Sequence, residues 1–468
     1  MQNTGYKKGF IPYALSAFLI GIVGGFSTVL GPAFVQDIGI AYNNTTWTAL
    51  AQAISTAACA PILGKLGDAI GRRTTLLLGL GVYTLGNLLT ALASSLPFML
   101  LARFVVGIGT AAISPVIMAY IITEFPENAV AKGFSVYMLI SSASVIFGPT
   151  LGSLMISRFG WRNMILFCVG ICAVILLICW ILGEKGHHKY KKITDFDRIG
   201  SFLILIFFGL LLCVPSLGQI YGWFSAPFLL VLIVDLIALW GLILAQKRSR
   251  NPILSGALLK RPSFILSILA LFLTQGLMQA NMTNLIVFVN YTQPENSVIS
   301  GYAISVMYLG MSLGSILLGP LADRFHPKFV LLASFLLTAL GCGSLFLFSG
   351  STPLALLMAS LGTLGFGLGG NGTIFMKVAL SGVSSGQAGA GTGTYGLFRD
   401  LSAPFGVSVF VPLFTNQITA ETAAGASPIH AAVSAIHFLA LTEILCVGLG
   451  IIVILFLPKI RTIKGESL

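Results

Sequence analysis

The chain alternates between apolar runs of about 20 residues and short polar segments, and fourteen such runs occur between residues 10 and 458. A bilayer core of about 30 Å needs roughly 20 apolar residues per helix, so these runs are long enough to cross a membrane. The pattern therefore predicts an all-α integral membrane protein with fourteen transmembrane helices. The predicted spans lie near residues 10–36, 44–64, 74–94, 97–122, 131–157, 161–183, 199–217, 223–246, 263–291, 298–321, 328–349, 352–379, 387–416 and 429–458.

The positive charges predict how the helices are oriented. The chain is 56% apolar with a net charge of +12, and 22 of its 26 Lys and Arg lie in loops and tails on one side. Two lie on the other side and two inside spans. Loops rich in Lys and Arg stay in the cytoplasm, so we expect a multi-pass protein of the cell membrane with both termini cytoplasmic. The same distribution explains the basic net charge without a nucleic-acid partner.

An internal repeat divides the predicted helices. The segment "GKLGDAIGRR" has a partner in "GPLADRFHPK", which places Gly64 and Asp68 255 residues before Gly319 and Asp323. Six helices with their loops occupy only about 190 residues here, so this offset leaves room for two more helices between two related halves. We expect a six-helix bundle at 1–183, a linker with two inserted transmembrane helices at 184–262, and a second six-helix bundle at 263–468.

Five motifs, in order along nearly the whole chain, resemble a known family. "GKLGDAIGRR" resembles the loop signature of the major facilitator superfamily, and "LLARFVVGIGTAA" its fourth-helix signature. "GPTLGS" resembles the antiporter signature of the fifth helix, with Ser153 where Gly is usual. "ALSGVSSGQAGAGTGTYGLFRDL" and "RSRNPILSGALLKRPSF" are similar to the fourteen-span drug:proton antiporter branch.

The resemblance implies the major facilitator fold and a proton-coupled exporter that moves amphipathic small molecules or drugs by alternating access. Its expected partners are that substrate, protons and the lipid bilayer, and we expect a monomer. The alternative is a dedicated exporter or flippase of a lipid or an anionic metabolite, which the basic residues Arg103, Arg399 and Lys377 favour. An enzyme is not expected, because His, Cys and acidic residues show no metal-like or catalytic spacing. We expect no cofactor and no metal.

Two motifs predict moving or sealing parts of the transporter. Because the family's two halves meet at the first motif, its charge cluster predicts a conformational latch, and topogenic charge alone is the alternative. The predicted latch residues are Gly64, Asp68, Arg72, Arg73 and the second-half Asp323 and Arg324. In the antiporter motif, Gly148, Pro149 and Gly152 favour a bent helix that packs tightly against the other half, which is either a seal against leak or plain packing.

Charged residues inside spans are candidates for proton coupling, because each is costly in the membrane unless it is paired or hydrated. Arg103 lies where the family places a coupling Arg. Arg399 and Asp400 lie near mid-membrane, and neighbours on a helix point about 100° apart, so we expect no mutual neutralisation and at least one side chain facing the cavity. Asp400 is the best acidic candidate for a proton site, and a buried structural pair with polar residues of other helices is the alternative there. For Arg103 the alternative is a structural hydrogen-bonding role. Glu443 lies near the middle of the last span, and the sequence does not indicate whether its side chain faces the cavity or a neighbouring helix. Asp235 is expected to be a helix-contact or oligomer-facing group rather than a proton carrier.

The first helix departs from the family. Val23 stands where many of these antiporters carry a membrane-embedded Asp, so proton coupling cannot be transferred from that helix. Amide and aromatic side chains among apolar walls suit a large amphipathic substrate, although such residues also fill helix contacts. The candidate cavity residues are Gln52, Tyr120, Tyr137, Met138, Gln275, Gln279, Asn281, Asn284, Tyr308, Met311, Asn371 and Phe398.

Overall fold

The computed structural model describes residues 5–40, 42–126, 130–182, 198–249, 256, 258–293, 298–380 and 388–458. Within these ranges the regular structure comprises sixteen α-helices and one 3-10 turn, Leu345–Leu347, with no strand. Thirteen helical stretches there are long and apolar enough to cross a membrane, and they coincide with thirteen of the predicted spans. The remaining one, 44–64, lies within a helix that is not among the thirteen. The predicted all-α membrane fold is confirmed.

The chain divides into two compact units, of which the first is Met1–Pro252. It contains the helices of the predicted first bundle and the two predicted inserted helices. These are α1 Gly5–Ser27, α2 Gly31–Ile38, α3 Tyr42–Ile70, α4 Arg72–Ala91, α5 Leu96–Glu124, α6 Val130–Phe159, α7 Trp161–Leu182, α8 Arg198–Tyr221 and α9 Ala226–Arg248. The pair α8 and α9 forms a hairpin whose first helix packs on α3.

The second unit is Ile253–Leu468. Its helices are α10 Pro262–Thr292, α11 Val298–Arg324, α12 Pro327–Ser344, α13 Leu354–Gly369, α14 Asn371–Ala379, α15 Ala388–Ala423 and α16 Pro428–Leu455. The chain therefore divides after Pro252, whereas the repeat predicts boundaries at 183/184 and 262/263, which remain predictions.

The two units share one internal packing pattern. In the first unit α5 packs against α3 and α4, α6 against α1, and α7 against α4 and α1. In the second unit α13 packs against α11 and α12, α15 against α10, and α16 against α12 and α10. The same helices, taken in chain order, make the same contacts in both units. This is the packing expected of two related six-helix halves.

Two predicted spans are each broken into two helices. The first becomes α1 and α2, separated by Thr28–Leu30, and Pro32 in the first turn of α2 supplies no backbone N–H. Thr28 closes the end of α1, because its hydroxyl donates to the Gly25 carbonyl at 2.6 Å. The twelfth span becomes α13 and α14, which meet at Gly370. Both breaks lie next to buried polar groups described below.

Small residues bring α1 and α6 into close contact. A Cβ added to Gly25 would lie 2.7 Å from the Cα of Gly148, and one added to Gly21 would lie 2.6 Å from the Cβ of Ser144. A Cβ on Gly152 would lie 3.1 Å from the Cα of Phe26. Small residues at every fourth position let two membrane helices approach closely. The antiporter motif is thus the α6 side of this crossing, and Pro149 lies inside the helix.

The equivalent crossing in the second unit joins α10 and α15. Gly276 and Gly406 face each other, and a Cβ added to Gly406 would overlap the Cα and carbonyl oxygen of Gly276. Both crossings also have a proline close to the contacting glycine inside the helix. In α15 Pro404 lies two residues before Gly406, and in α6 Pro149 lies one residue after Gly148. In both units, therefore, the equivalent pair of helices meets at backbone contact distance.

Candidate functional site

Arg103 is the charged centre of a polar site inside the first unit. It lies on α5 and is only 4% exposed. One terminal nitrogen, Nη1, donates to the Ser27 hydroxyl at 3.3 Å and to the Gln52 side-chain oxygen at 3.4 Å. The guanidinium carbon lies 5.6 Å from the ring centre of Phe34. The break after Ser27 thus brings the end of α1 and the start of α2 to the same buried Arg.

Among the described residues, no carboxylate forms an ion pair with Arg103. Its Nε is buried and has no hydrogen-bond partner. Val23, where many antiporters of the family that the motifs resemble carry Asp, lies one turn before Ser27 and accepts the Ser27 hydroxyl at its backbone carbonyl, 2.9 Å away. In the part of the chain that the structure describes, the groups that contact this positive charge are neutral oxygens and an aromatic face.

A cluster at one end of the first unit holds α2 in place. The indole nitrogen of Trp161 donates to Asp37 at 2.9 Å, and Arg162 forms an ion pair with the same carboxylate. Arg162 also lies over the Trp161 ring, 4.4 Å from its centre, and donates to the Ala93 carbonyl at 3.0 Å. Trp161 in turn contacts the Phe34 ring edge-on at 5.0 Å. This Asp37 cluster therefore positions the ring that covers Arg103.

We expect Asp37→Asn to lower the stability of the first unit by about 1 kcal/mol. The ion pair is about 40% exposed and is worth little alone, so most of the loss comes from the weakened Trp161 hydrogen bond. Thermal unfolding of the purified protein measures the effect. Arg158→Gln is the control, because Arg158 is exposed at the end of α6; an equal loss in both variants would contradict the role given to the cluster.

Glu443 is the corresponding buried charged group in the second unit. It lies on α16, is 0% exposed, and accepts a hydrogen bond from the Asn281 side-chain amide of α10 at 2.6 Å. Its other oxygen, Oε2, is buried without a partner at hydrogen-bond distance, and the Cys342 thiol of α12 lies close enough to interact with the carboxyl. Among the described side chains, no Lys, Arg or His forms an ion pair with it. A buried carboxylate without a cation beside it is costly in the membrane.

Further polar groups lie inside the second unit beside the break between α13 and α14. The Ser334 hydroxyl lies 2.5 Å from the Asn371 side-chain oxygen, and Asn371 is 0% exposed. Asn284 donates to the Phe410 carbonyl at 3.4 Å. The other polar atom of each side-chain amide, Nδ2 of Asn371 and Oδ1 of Asn284, is buried and has no hydrogen-bond partner. The interior of this unit thus holds more polar atoms than it satisfies.

Arg399 and Asp400 do not behave as the helical spacing predicts. The Arg399 Nε donates to Asp400 Oδ1 at 2.9 Å, and both side chains are nearly half exposed. The expectation that neighbours on a helix do not neutralise each other was wrong, because the long Arg side chain bends back along the helix surface. Asp400 therefore already has a cation beside it, unlike Glu443.

Asp235 is buried in the α8–α9 hairpin. It is 4% exposed, and its Oδ1 has no partner. Cys213 of α8 lies close enough to interact with it electrostatically. This position agrees with a helix contact within the hairpin.

The predicted cavity residues are distributed over the interiors of both units. Tyr120 stacks on Tyr13 with ring centres 4.1 Å apart and is 4% exposed. Asn281 and Asn371 are bonded inside the second unit, as described. Each of these three side chains, and that of Asn284, is buried inside its own unit and exposes almost no surface to a substrate. Partly exposed are Gln52, Tyr137, Gln275, Gln279, Tyr308, Met311 and Phe398.

The described Arg residues of the first-unit latch, Arg72 and Arg73, have partners within that unit. Arg72 forms an ion pair with Glu124 at 2.7 Å, and Arg73 donates to the Trp180 carbonyl. Gly71 connects α3 to α4 with φ of +94°, a conformation that favours glycine. Arg324 is exposed at the end of α11. Glu124 had not been expected from the sequence, because nothing local links it to the motif 52 residues away.

Several predicted residues lie outside the described side chains. They are the latch residues Gly64, Asp68 and Asp323 and the cavity residue Met138. In the part of the chain that is described, no group of three or more His, Cys, Asp or Glu could hold a metal ion.

Comparison with known sequences gives one family match. The sequence profile of the Major Facilitator Superfamily matches residues 13–407. Multidrug resistance protein Stp of Mycobacterium tuberculosis is 25% identical over 417 residues, which cover 88% of this chain and 76% of Stp. Multidrug resistance protein 3 of Bacillus subtilis is 23% identical over 426 residues, which cover 90% of this chain and 82% of that protein.

Solved structures share the fold. An inward-facing, unoccupied bacterial homologue of the human lysosomal transporter Spinster superposes with a TM-score of 0.68 at 13% identity, covering 98% of this chain and 97% of its own. An auto-inhibited peptide transporter of the POT family gives a TM-score of 0.68 at 14% identity, covering 99% of both chains. At such low identity these structures show the fold alone.

Proposed function

The chain belongs to the Major Facilitator Superfamily, and from this premise we propose that it is a drug exporter that moves amphipathic small molecules out of the cell in exchange for protons. It is a multi-span transporter of the cell membrane and not an enzyme. Two relatives that match most of the chain are named multidrug resistance proteins, which supports small-molecule export. Their names do not favour the alternative of a dedicated exporter or flippase of a lipid or anionic metabolite.

The environment of Glu443 is the main observation that supports proton exchange. A carboxyl that is 0% exposed, faces an amide donor and has no cation among the described side chains is most stable with a proton bound. When α10 and α16 separate or water enters between them, hydration lowers the free-energy cost of the ionised carboxylate and the proton leaves. Glu443 is therefore our choice as the proton carrier, and Asn281 orients it.

The other proposed coupling residues differ from Glu443 in their surroundings. Asp400 already has the Arg399 guanidinium beside it, so its charge is compensated without a proton. This pair suits contact with water or substrate better than proton storage. In the first unit Arg103 is the buried positive group, and we assign it a role in coupling substrate movement to proton movement.

The remaining proposed parts concern the conformational cycle. The α1–α6 and α10–α15 crossings act as seals, and the close backbone approach at Gly25/Gly148 and Gly276/Gly406 supports this role. The cluster around Arg72 and Arg73 acts as the latch. Both termini lie in the cytoplasm in this proposal, and the protein acts as a monomer.

Dye efflux from cells tests the proposed export. Cells that express the chain and are loaded with ethidium should lose it faster than empty-vector cells, and collapsing the proton gradient with an uncoupler should remove the difference. Carboxyfluorescein, an anionic dye, tests the charge preference in parallel. Efflux that survives the uncoupler would contradict proton exchange, and no efflux of either dye would contradict export of amphipathic dyes.

A further inference from the structure

The surroundings of Arg103 raise a question that proton exchange does not answer. The guanidinium is 4% exposed, and among the described residues it has no carboxylate partner. A guanidinium buried in the membrane without an opposite charge is costly, so such residues pair with a carboxylate, a ligand or water. The helix that would supply the carboxylate has Val23 and Ser27 instead.

The protein groups around Arg103 leave its donors incompletely used. The two hydrogen bonds of Nη1 are 3.3 and 3.4 Å long, which exceeds the usual range for charged donors, and both acceptors are neutral. Nε is buried without a partner. In a planar guanidinium the N–H of Nε and one N–H of Nη2 are parallel, and such a pair matches the two oxygens of a carboxylate or a single halide.

We propose that Arg103, together with Ser27 and Gln52, forms a binding site for a monovalent anion. The shared chemistry is a small negative group that accepts hydrogen bonds from the guanidinium, supplied either by the carboxylate of a bound organic molecule or by chloride. The Phe34 ring, held by the Asp37 cluster, covers the site and excludes water. The site belongs to the first unit alone, and the proposal does not depend on proton exchange.

Thermal unfolding of the full-length protein, purified in a neutral detergent, measures anion binding directly. The probes are sodium chloride and sodium benzoate, each exchanged at constant ionic strength for sodium isethionate, a bulkier sulfonate salt without a carboxylate. A ligand that binds only the folded state raises the unfolding midpoint. We expect a rise of a few degrees that levels off as chloride or benzoate increases. A response to both probes identifies a general anion site, and a response to benzoate alone identifies a carboxylate site.

Substitutions at Ser27 distinguish this site from a general salt effect. The Ser27 hydroxyl lies 3.3 Å from Arg103 Nη1, so Ser27→Asp places a carboxylate beside the guanidinium. We expect Ser27→Asp to unfold at a higher temperature than Ser27→Asn and to lose the response to both probes. Ser27→Asn, which has the same size but no charge, should keep the response.

Arg103→Gln and Arg158→Gln complete the test. Arg103→Gln should lose the response, and Arg158→Gln, which removes an exposed charge, should respond as the unmodified protein does. The absence of a saturating response in the unmodified protein would overturn the proposal. An equal response in Ser27→Asp and Ser27→Asn would do so too, even if Arg103→Gln fails to fold.

Discussion

Replacing Glu443 with Gln should reduce proton-driven export by at least about tenfold while the protein stays folded. Gln has the size of Glu and can still accept the Asn281 hydrogen bond, so the α10–α16 contact is kept. It cannot release a proton, so the exchange cycle stops at one protonation state. Ethidium efflux at several external pH values measures the effect: the unmodified chain should depend on pH, and the variant should show a low, flat rate.

The matched control for this variant is Glu421→Gln. Glu421 lies in the same unit near the end of α15, is partly exposed, and accepts hydrogen bonds from Ser434 at 2.7 Å and from Gln417 at 3.1 Å. Its neighbours and exposure compensate its charge without a proton, so export should stay near the unmodified rate. Full pH-dependent efflux by Glu443→Gln, or an equal loss in Glu421→Gln, would remove Glu443 from the proton pathway.

The second large effect is expected at the α10–α15 crossing. Gly406→Ala adds a methyl group where it would overlap the backbone of Gly276, and two helix backbones cannot move apart without losing their other contacts. We expect a loss of about 2–3 kcal/mol in stability and little folded protein in the membrane. Thermal unfolding and the yield of monodisperse protein measure it.

Gly396→Ala on the same helix provides the comparison. A Cβ at Gly396 meets no atom within 4 Å, and Ala favours a helix more than Gly does, so this variant should be as stable as the unmodified protein or slightly more so. Gly25→Ala and Gly24→Ala form the equivalent pair on α1, since only Gly25 faces another backbone. If both members of a pair behave alike, the close approach of the helices is not the cause.

Hydropathy was sufficient to predict most of the membrane helices. Membrane helices need long apolar runs, so the span positions are encoded locally and thirteen of them were found where expected. The breaks at Thr28–Leu30 and Gly370 were missed, because both occur within continuous apolar sequence and depend on local hydrogen bonds and on the Pro and Gly residues there.

The candidate sites were harder to predict, because they depend on pairs of residues far apart in the chain. Charge within spans made Arg103, Asp400 and Glu443 candidates, with Asp400 preferred, but nothing in the sequence links Asn281 to a residue 162 positions later. Nor did it indicate that Arg399 would bend back to Asp400, because helix geometry fixes the Cβ direction and leaves a long side chain free to turn. Asp37, Trp161 and Arg162 were missed, since they come together only when α2 folds against α7.

Proton movement driven by substrate alone tests the central claim of drug–proton exchange most directly. Proteoliposomes with the purified chain, a pH-sensitive dye in the lumen and no initial pH difference are loaded with ethidium and diluted into ethidium-free buffer. The account predicts that the lumen acidifies as ethidium leaves, and that liposomes with Glu443→Gln do not acidify beyond protein-free liposomes. Ethidium release by the unmodified chain without acidification would contradict it.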